Sequence, residues 1–86
     1  MKRPATSQLQ ELLNYYQSGL FAEAEANALS LTQAFPADQF AWKVFGAVLK
    51  QLGRVSESVV AKEKAVQLAP NDTEAHNNLG NTLQEL

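Results

Sequence analysis

The chain has no cysteine. That excludes a disulfide framework, a thiolate nucleophile and a Cys-based metal site. Its one histidine, His76, rules out a helical His-x3-His metal pair. With 7 Lys+Arg against 9 Asp+Glu the net charge is −2, and there is no basic run. Nucleic acid is therefore not an expected partner. No apolar run approaches the roughly 18 residues that a membrane span needs, so no membrane role is expected either. The opening Met1-Lys2-Arg3-Pro4-Ala5-Thr6-Ser7 is basic but lacks the apolar core of a signal peptide, which points to a cytoplasmic protein. No glycine-rich phosphate-cradling loop is present. Glu23 and Glu25 lie two apart and point to different faces of a helix, so they read as solvated surface rather than a paired acid and base. No nucleophile or orienting carboxylate can be placed beside His76, which reads as a packing residue. No enzyme activity, cofactor or metal is expected.

What is present is 86 residues, 45% hydrophobic, enough for one modest core. Glycine and proline are scarce, 4 and 3, and their spacing is informative. Sliding the chain by 34 places Gly19 on Gly53, Pro36 on Pro70, Asp38 on Asp72, Ala41 on Ala75, Gly46 on Gly80, Leu49 on Leu83 and Leu52 on Leu86. Gln17/Gln51, Glu23/Glu57 and Gln33/Gln67 also coincide, giving 10 identities when residues 5–52 are laid on 39–86. Average composition would give roughly three. The coincident residues are turn formers, an Asp ahead of a helix and apolar positions, so the period is structural.

Local signals place the helices. Ser7 with Gln10 makes a capping-box pattern, and Leu9, Leu12, Leu13 and Tyr16 follow at helical spacing, predicting a helix over about 6–18 that Gly19 stops. An alanine-rich second helix over about 21–34 ends before Pro36. Asp38 can cap a third over about 39–52, broken by Gly53; a fourth over about 55–68 is stopped by Pro70. Asp72 can cap a fifth, running from Thr73 to at least Leu86. Gly46 and Gly80 on first helices, with Ala24 and Ala65 on second helices, would let paired backbones approach.

Trp42, Phe45, Gly46 and Leu49, with Gly53, Ala65 and Pro70, resemble the tetratricopeptide repeat, a 34-residue helix–turn–helix unit. Leu49 stands where tyrosine is usual, Ser58 where alanine is usual and Lys62 where phenylalanine is common. The expected fold is thus all-α, an antiparallel helix–turn–helix α-solenoid of about five helices. Residues 1–5 form a flexible tail, 6–38 a degenerate first unit, 39–72 a second unit, and 73–86 the first helix of an incomplete third. In the degenerate unit Gln8 and Glu11 hold the slots of Trp42 and Phe45, and Leu12 holds the glycine slot.

The resemblance implies a protein-interaction scaffold, with first helices lining a groove for a peptide or an extended protein segment, as part of a larger protein. Carried over position by position, the groove slots are Thr6, Leu9, Gln10, Leu13, Tyr16 and Gln17; then Phe40, Lys43, Val44, Ala47 and Lys50; then Glu74, Asn77, Asn78 and Asn81. Chaperone-binding members clamp a terminal carboxylate. Here Lys43 fits one lysine slot, but Ala47 replaces the companion asparagine, and Glu74 and Asn78 stand where basic residues would be. Asn77, Asn78 and Asn81 are similar to the asparagine-lined groove of the repeats attached to protein O-glycosyltransferases, which implies a substrate-presenting arm of a transferase as one alternative. Leu9, Leu13, Tyr16 and Phe40 can instead form an apolar trough for an amphipathic helix, or fill the end of the core. A further alternative is self-association: Leu79, Leu83 and Leu86 lie on a helix with no second helix after it, an open face that favours a homo-oligomer.

Overall fold

The computed structural model describes residues 3–86. The expected tail falls partly outside it, at Met1 and Lys2; Pro4 is buried and Ala5 is the residue from which the first helix starts. Five α-helices and no strand are found among the described residues: α1 Thr6–Gln17, α2 Phe21–Ala34, α3 Gln39–Gln51, α4 Val55–Leu68 and α5 Thr73–Leu83. None is long and apolar enough to cross a membrane.

The punctuation works as its chemistry requires. Gly19 and Gly53 sit at φ 76° and 79°. Each closes its helix with paired bonds: Leu20 N–H to the Tyr15 carbonyl (2.9 Å) and Gly19 N–H to Tyr16 (3.2 Å), then Arg54 N–H to Leu49 (2.9 Å) and Gly53 N–H to Lys50 (3.0 Å). This is the Schellman pattern, whose left-handed residue favours glycine. Asp38 accepts from Ala41 N–H at 2.9 Å and Asp72 from Ala75 N–H at 3.1 Å, capping α3 and α5.

Two expectations fail at the ends. The start of α1 is not organised by Ser7 and Gln10. Gln8 Oε1 accepts the Ala5 N–H at 2.7 Å, so half of a capping box forms two residues earlier; Ala5 has no side-chain acceptor to complete it. And α5 stops at Leu83, not Leu86. Glu85 N–H bonds Thr82 and Leu86 N–H bonds Leu83, three residues back rather than four, so the last turn tightens out of the α-helix.

Leu12, Ala24, Ala28, Leu31, Ala41, Val44 and Val48 form one core cluster across α1, α2 and α3. The glycine slot explains how the two units pack. In the first unit Leu12 fills it and Ala28 stands opposite in the repeat; in the second the pair is Gly46 and Lys62, so bulk moves from one helix to the other. A Cβ on Gly46 would lie 2.7 Å from Lys62 Cγ and 3.5 Å from the Lys62 backbone nitrogen. The close approach also lets Ser58 Oγ donate to the Gly46 carbonyl at 2.6 Å, a buried bond between α3 and α4. Gly80, at the same slot of the third unit, meets nothing within 4 Å, so it is not a point of close approach here.

His76 is exposed and so is not a packing residue. Its Nε2 lies 2.7 Å from the Pro70 carbonyl, repeating the Trp42 Nε1–H bond to the Pro36 carbonyl at 2.9 Å. A carbonyl only accepts, so His76 Nε2 carries the proton.

The two glycines predict opposite outcomes. Gly46→Ala forces its methyl into Lys62 and should lower stability by about 1–3 kcal/mol. Gly80→Ala meets open space and removes a helix-interior glycine, so stability should hold or rise by up to about 1 kcal/mol. Urea unfolding midpoints of the two variants check this.

Candidate binding groove

The first helices of the three units stand side by side, and the space between them holds two adjoining cavities. One, of about 180 Å³, is lined by Leu13 and Tyr16 of α1, Phe40, Lys43, Val44 and Ala47 of α3, and Glu74 and Asn78 of α5. The other, of about 220 Å³, is lined by Tyr16, Lys43, Ala47, Lys50, Gln51, Ala75 and Asn78, with Lys62 and Ala65 contributed by α4. Tyr16, Lys43, Ala47 and Asn78 border both.

Most of the expected groove residues are thus collected in one place. Lys43, Ala47 and Lys50 share a face of α3, as their spacing requires. Leu9 does not line either cavity; it packs against the core cluster, as part of what holds α1 down. Val44 is mostly core. Asn77 and Asn81 are exposed and line neither cavity, leaving Asn78 as the one asparagine between α3 and α5. The apolar trough keeps Leu13, Tyr16 and Phe40; Tyr16 is braced by Phe21, with ring centroids 5.8 Å apart.

The groove lysines are not free. Lys43 Nζ lies 2.9 Å from Glu74 Oε1 and 3.0 Å from Asp72 Oδ2. Its pKa is pushed up, first by the Glu74 hydrogen bond and then by Asp72, against the desolvation that opposes them. Lys50 Nζ lies 2.9 Å from Glu85 Oε2. Asp72 also accepts from Gln39 Nε2 at 2.9 Å. Its carboxyl is held below its ordinary value, first by Lys43 and then by the Ala75 backbone N–H. One carboxylate therefore caps α5 and ties it to two residues of α3. The slot that resembles a clamp lysine is thereby filled from within the chain.

Sequence reasoning missed Lys62. It is 7% exposed, and its Nζ donates to Thr82 Oγ1 at 2.7 Å. Thr82, fully buried, donates in turn to the Asn78 carbonyl at 2.9 Å. The signal was a lysine at the common phenylalanine slot, where the first unit has Ala28. Nor is Glu25 merely solvated, since it pairs with Arg54 Nη1 and so joins α2 to the start of α4. Arg54 also binds Glu57, which raises the one pKa and lowers the other. No group of His, Cys, Asp and Glu suited to a metal is found among the described residues.

The chain matches no family model and no curated protein. The family resemblance rests on its own residues and their period.

The Asp72 geometry predicts a pH dependence. Its folded-state pKa lies below its ordinary 3.8, so its contribution is present above that value and is lost as the pH falls through the lower one. Asp72→Asn keeps a capping side chain but loses the charge that Lys43 holds. The urea midpoint of the wild type should exceed that of Asp72→Asn at pH 6, and the gap should close as the pH falls below 3.8. A gap that stays constant across this range contradicts the assignment.

Proposed function

We propose that this chain is a tetratricopeptide-like interaction unit whose groove between α1, α3 and α5 holds a peptide or an extended protein segment. The observation that supports this best is the pair of adjoining cavities bordered by residues from all three first helices. Helix starts recur within a residue of the sequence period: Thr6, Gln39 and Thr73 for first helices, Phe21 and Val55 for second helices. Tyr16 offers an aromatic edge and Asn78 a side-chain amide that can both donate to and accept from a peptide backbone. Ala47 leaves room between them.

A random 12-residue phage-displayed library, followed by fluorescence anisotropy of the selected peptides, tests this reading. Binding should weaken at least tenfold in Ala47→Arg, whose side chain fills the groove, while the melting temperature stays within a few degrees of wild type. The reading fails if no peptide is enriched, or if Ala47→Arg binds as wild type does.

A second reading has its own observation. Leu83, at the end of α5, is 47% exposed and Leu86, past it, 69%, with Leu79 half-buried on α5 and Gly80 facing open space. This apolar end suits self-association. Sedimentation across a concentration series should show a mass that rises with concentration and falls back to monomer in Leu79→Gln/Leu83→Gln. A mass that stays monomeric throughout removes the reading.

A further inference from the structure

Three lysines line the larger cavity, and the fold treats them differently. Lys43 is held by Asp72 and Glu74, and Lys50 by Glu85. Lys62, the most buried of the three, has no carboxylate partner among the described residues. Its hydrogen bond goes to a neutral hydroxyl, Thr82 Oγ1, leaving two of its three donors without a protein acceptor. A buried ammonium so placed is costly. The first unit avoids that cost altogether with Ala28 at the same slot.

We propose that Lys62, together with Lys50, is a carboxylate subsite of the groove, filled by an acidic group of the bound segment. This rests on the groove reading above. Glu85 is the built-in stand-in. It already holds Lys50, it is about half exposed, and it lies on the tightened turn after α5, so a ligand carboxylate can displace it at little cost. Lys50 and Lys62 line the same cavity, and Glu85 reaches it through Lys50; burial pushes the Lys62 pKa down and Lys50 pushes it further, with Glu85 acting in the opposite direction. The group that Lys50 already binds is the carboxylate of Glu85, so the chemistry the subsite takes is that of a carboxylate. The subsite differs from a clamp built on first helices, because its central cation comes from α4.

The test is a set of NMR titrations at fixed ionic strength. N-acetylglutamate N-methylamide presents a side-chain carboxylate, N-acetylalanine a terminal one, and N-acetylglutamine N-methylamide neither. One or both carboxylates should shift the Thr82 and Asn78 amides and the Lys62 ε-methylene saturably, and the neutral amide should not. Which carboxylate binds more tightly identifies the source. Glu85→Gln should tighten binding by up to about fivefold, the loss of one exposed competing ion pair. Lys62→Met, which removes a buried charge and is expected to fold at least as stably, should abolish the shifts. Equal response to the neutral amide, or wild-type affinity in Lys62→Met, overturns the proposal. Should Lys62→Met not fold, Glu85→Gln decides: affinity no tighter than wild type overturns it. Failure of the groove reading would look different, as an absence of peptide capture with these small-carboxylate shifts intact. A selected peptide whose affinity ignores both Glu→Gln within it and Lys62→Met would sink the subsite alone.

Discussion

The contact between Gly46 and α4 is the constraint on which the second half of the molecule depends. With no side chain at Gly46, the stem of Lys62 lies directly against α3, and the Ser58 hydroxyl reaches the Gly46 carbonyl. A methylene stem can cover apolar surface while its charged end travels on. Here the stem fills the gap under Gly46 and the ammonium arrives at Thr82 on α5. One small residue thus fixes the spacing of α3 and α4, and through Lys62 fixes α4 against α5. In the first unit the same slot carries Leu12 with Ala28, which packs as an ordinary apolar pair and reaches no further.

The junctions between units differ in the same direction. Asp38 caps α3 through the Ala41 N–H. Asp72 caps α5 and also gathers Gln39 and Lys43. The positions 34 residues before Gln39 and Lys43 are Ala5 and Leu9, which cannot donate to Asp38. The first junction is therefore held by apolar packing, with Leu9 on the core, and the second by a shared carboxylate. Exposed ion pairs contribute only about 0–1 kcal/mol each. Asp72 matters more for the orientation of α5, hence for the width of the groove, than for stability.

Helix boundaries were legible because they depend on local chemistry: glycine where φ must be positive, proline where an N–H is dispensable, aspartate where an N–H needs an acceptor. Four of the five helices begin and end within a residue of their sequence reading. The two misreadings, the end of α5 and the cap of α1, lie where such residues are missing. Gln84, Glu85 and Leu86 are neither glycine nor proline, and Ala5 has no capping side chain, so Gln8 closes the turn instead. The groove was legible only in part. Helical spacing fixes which residues share a face, so Lys43, Ala47 and Lys50 were found. It does not say which of three neighbouring asparagines turns inward, nor that a lysine on a second helix extends under a glycine 16 residues earlier. Those facts depend on how closely two helices approach, a tertiary quantity with no local signature.

The groove wall divides into a committed rim and an uncommitted centre. Lys43 and Lys50 are tied to carboxylates of the next unit, so their rotamers are already restricted before anything binds. A ligand arriving there gains a pre-ordered wall but must exchange one carboxylate for another, which costs nearly what it gains. Tyr16, Ala47 and Asn78 border both cavities, and the Asn78 side chain makes no hydrogen bond within the described residues. For the peptide ligand proposed above, affinity would come mostly from the centre, where desolvation of an aromatic ring and an unused amide are not offset by lost protein contacts. Under that proposal, charge at the rim would act mainly on orientation and choice of ligand, since each paired lysine rejects a cation and accepts an anion only by exchange.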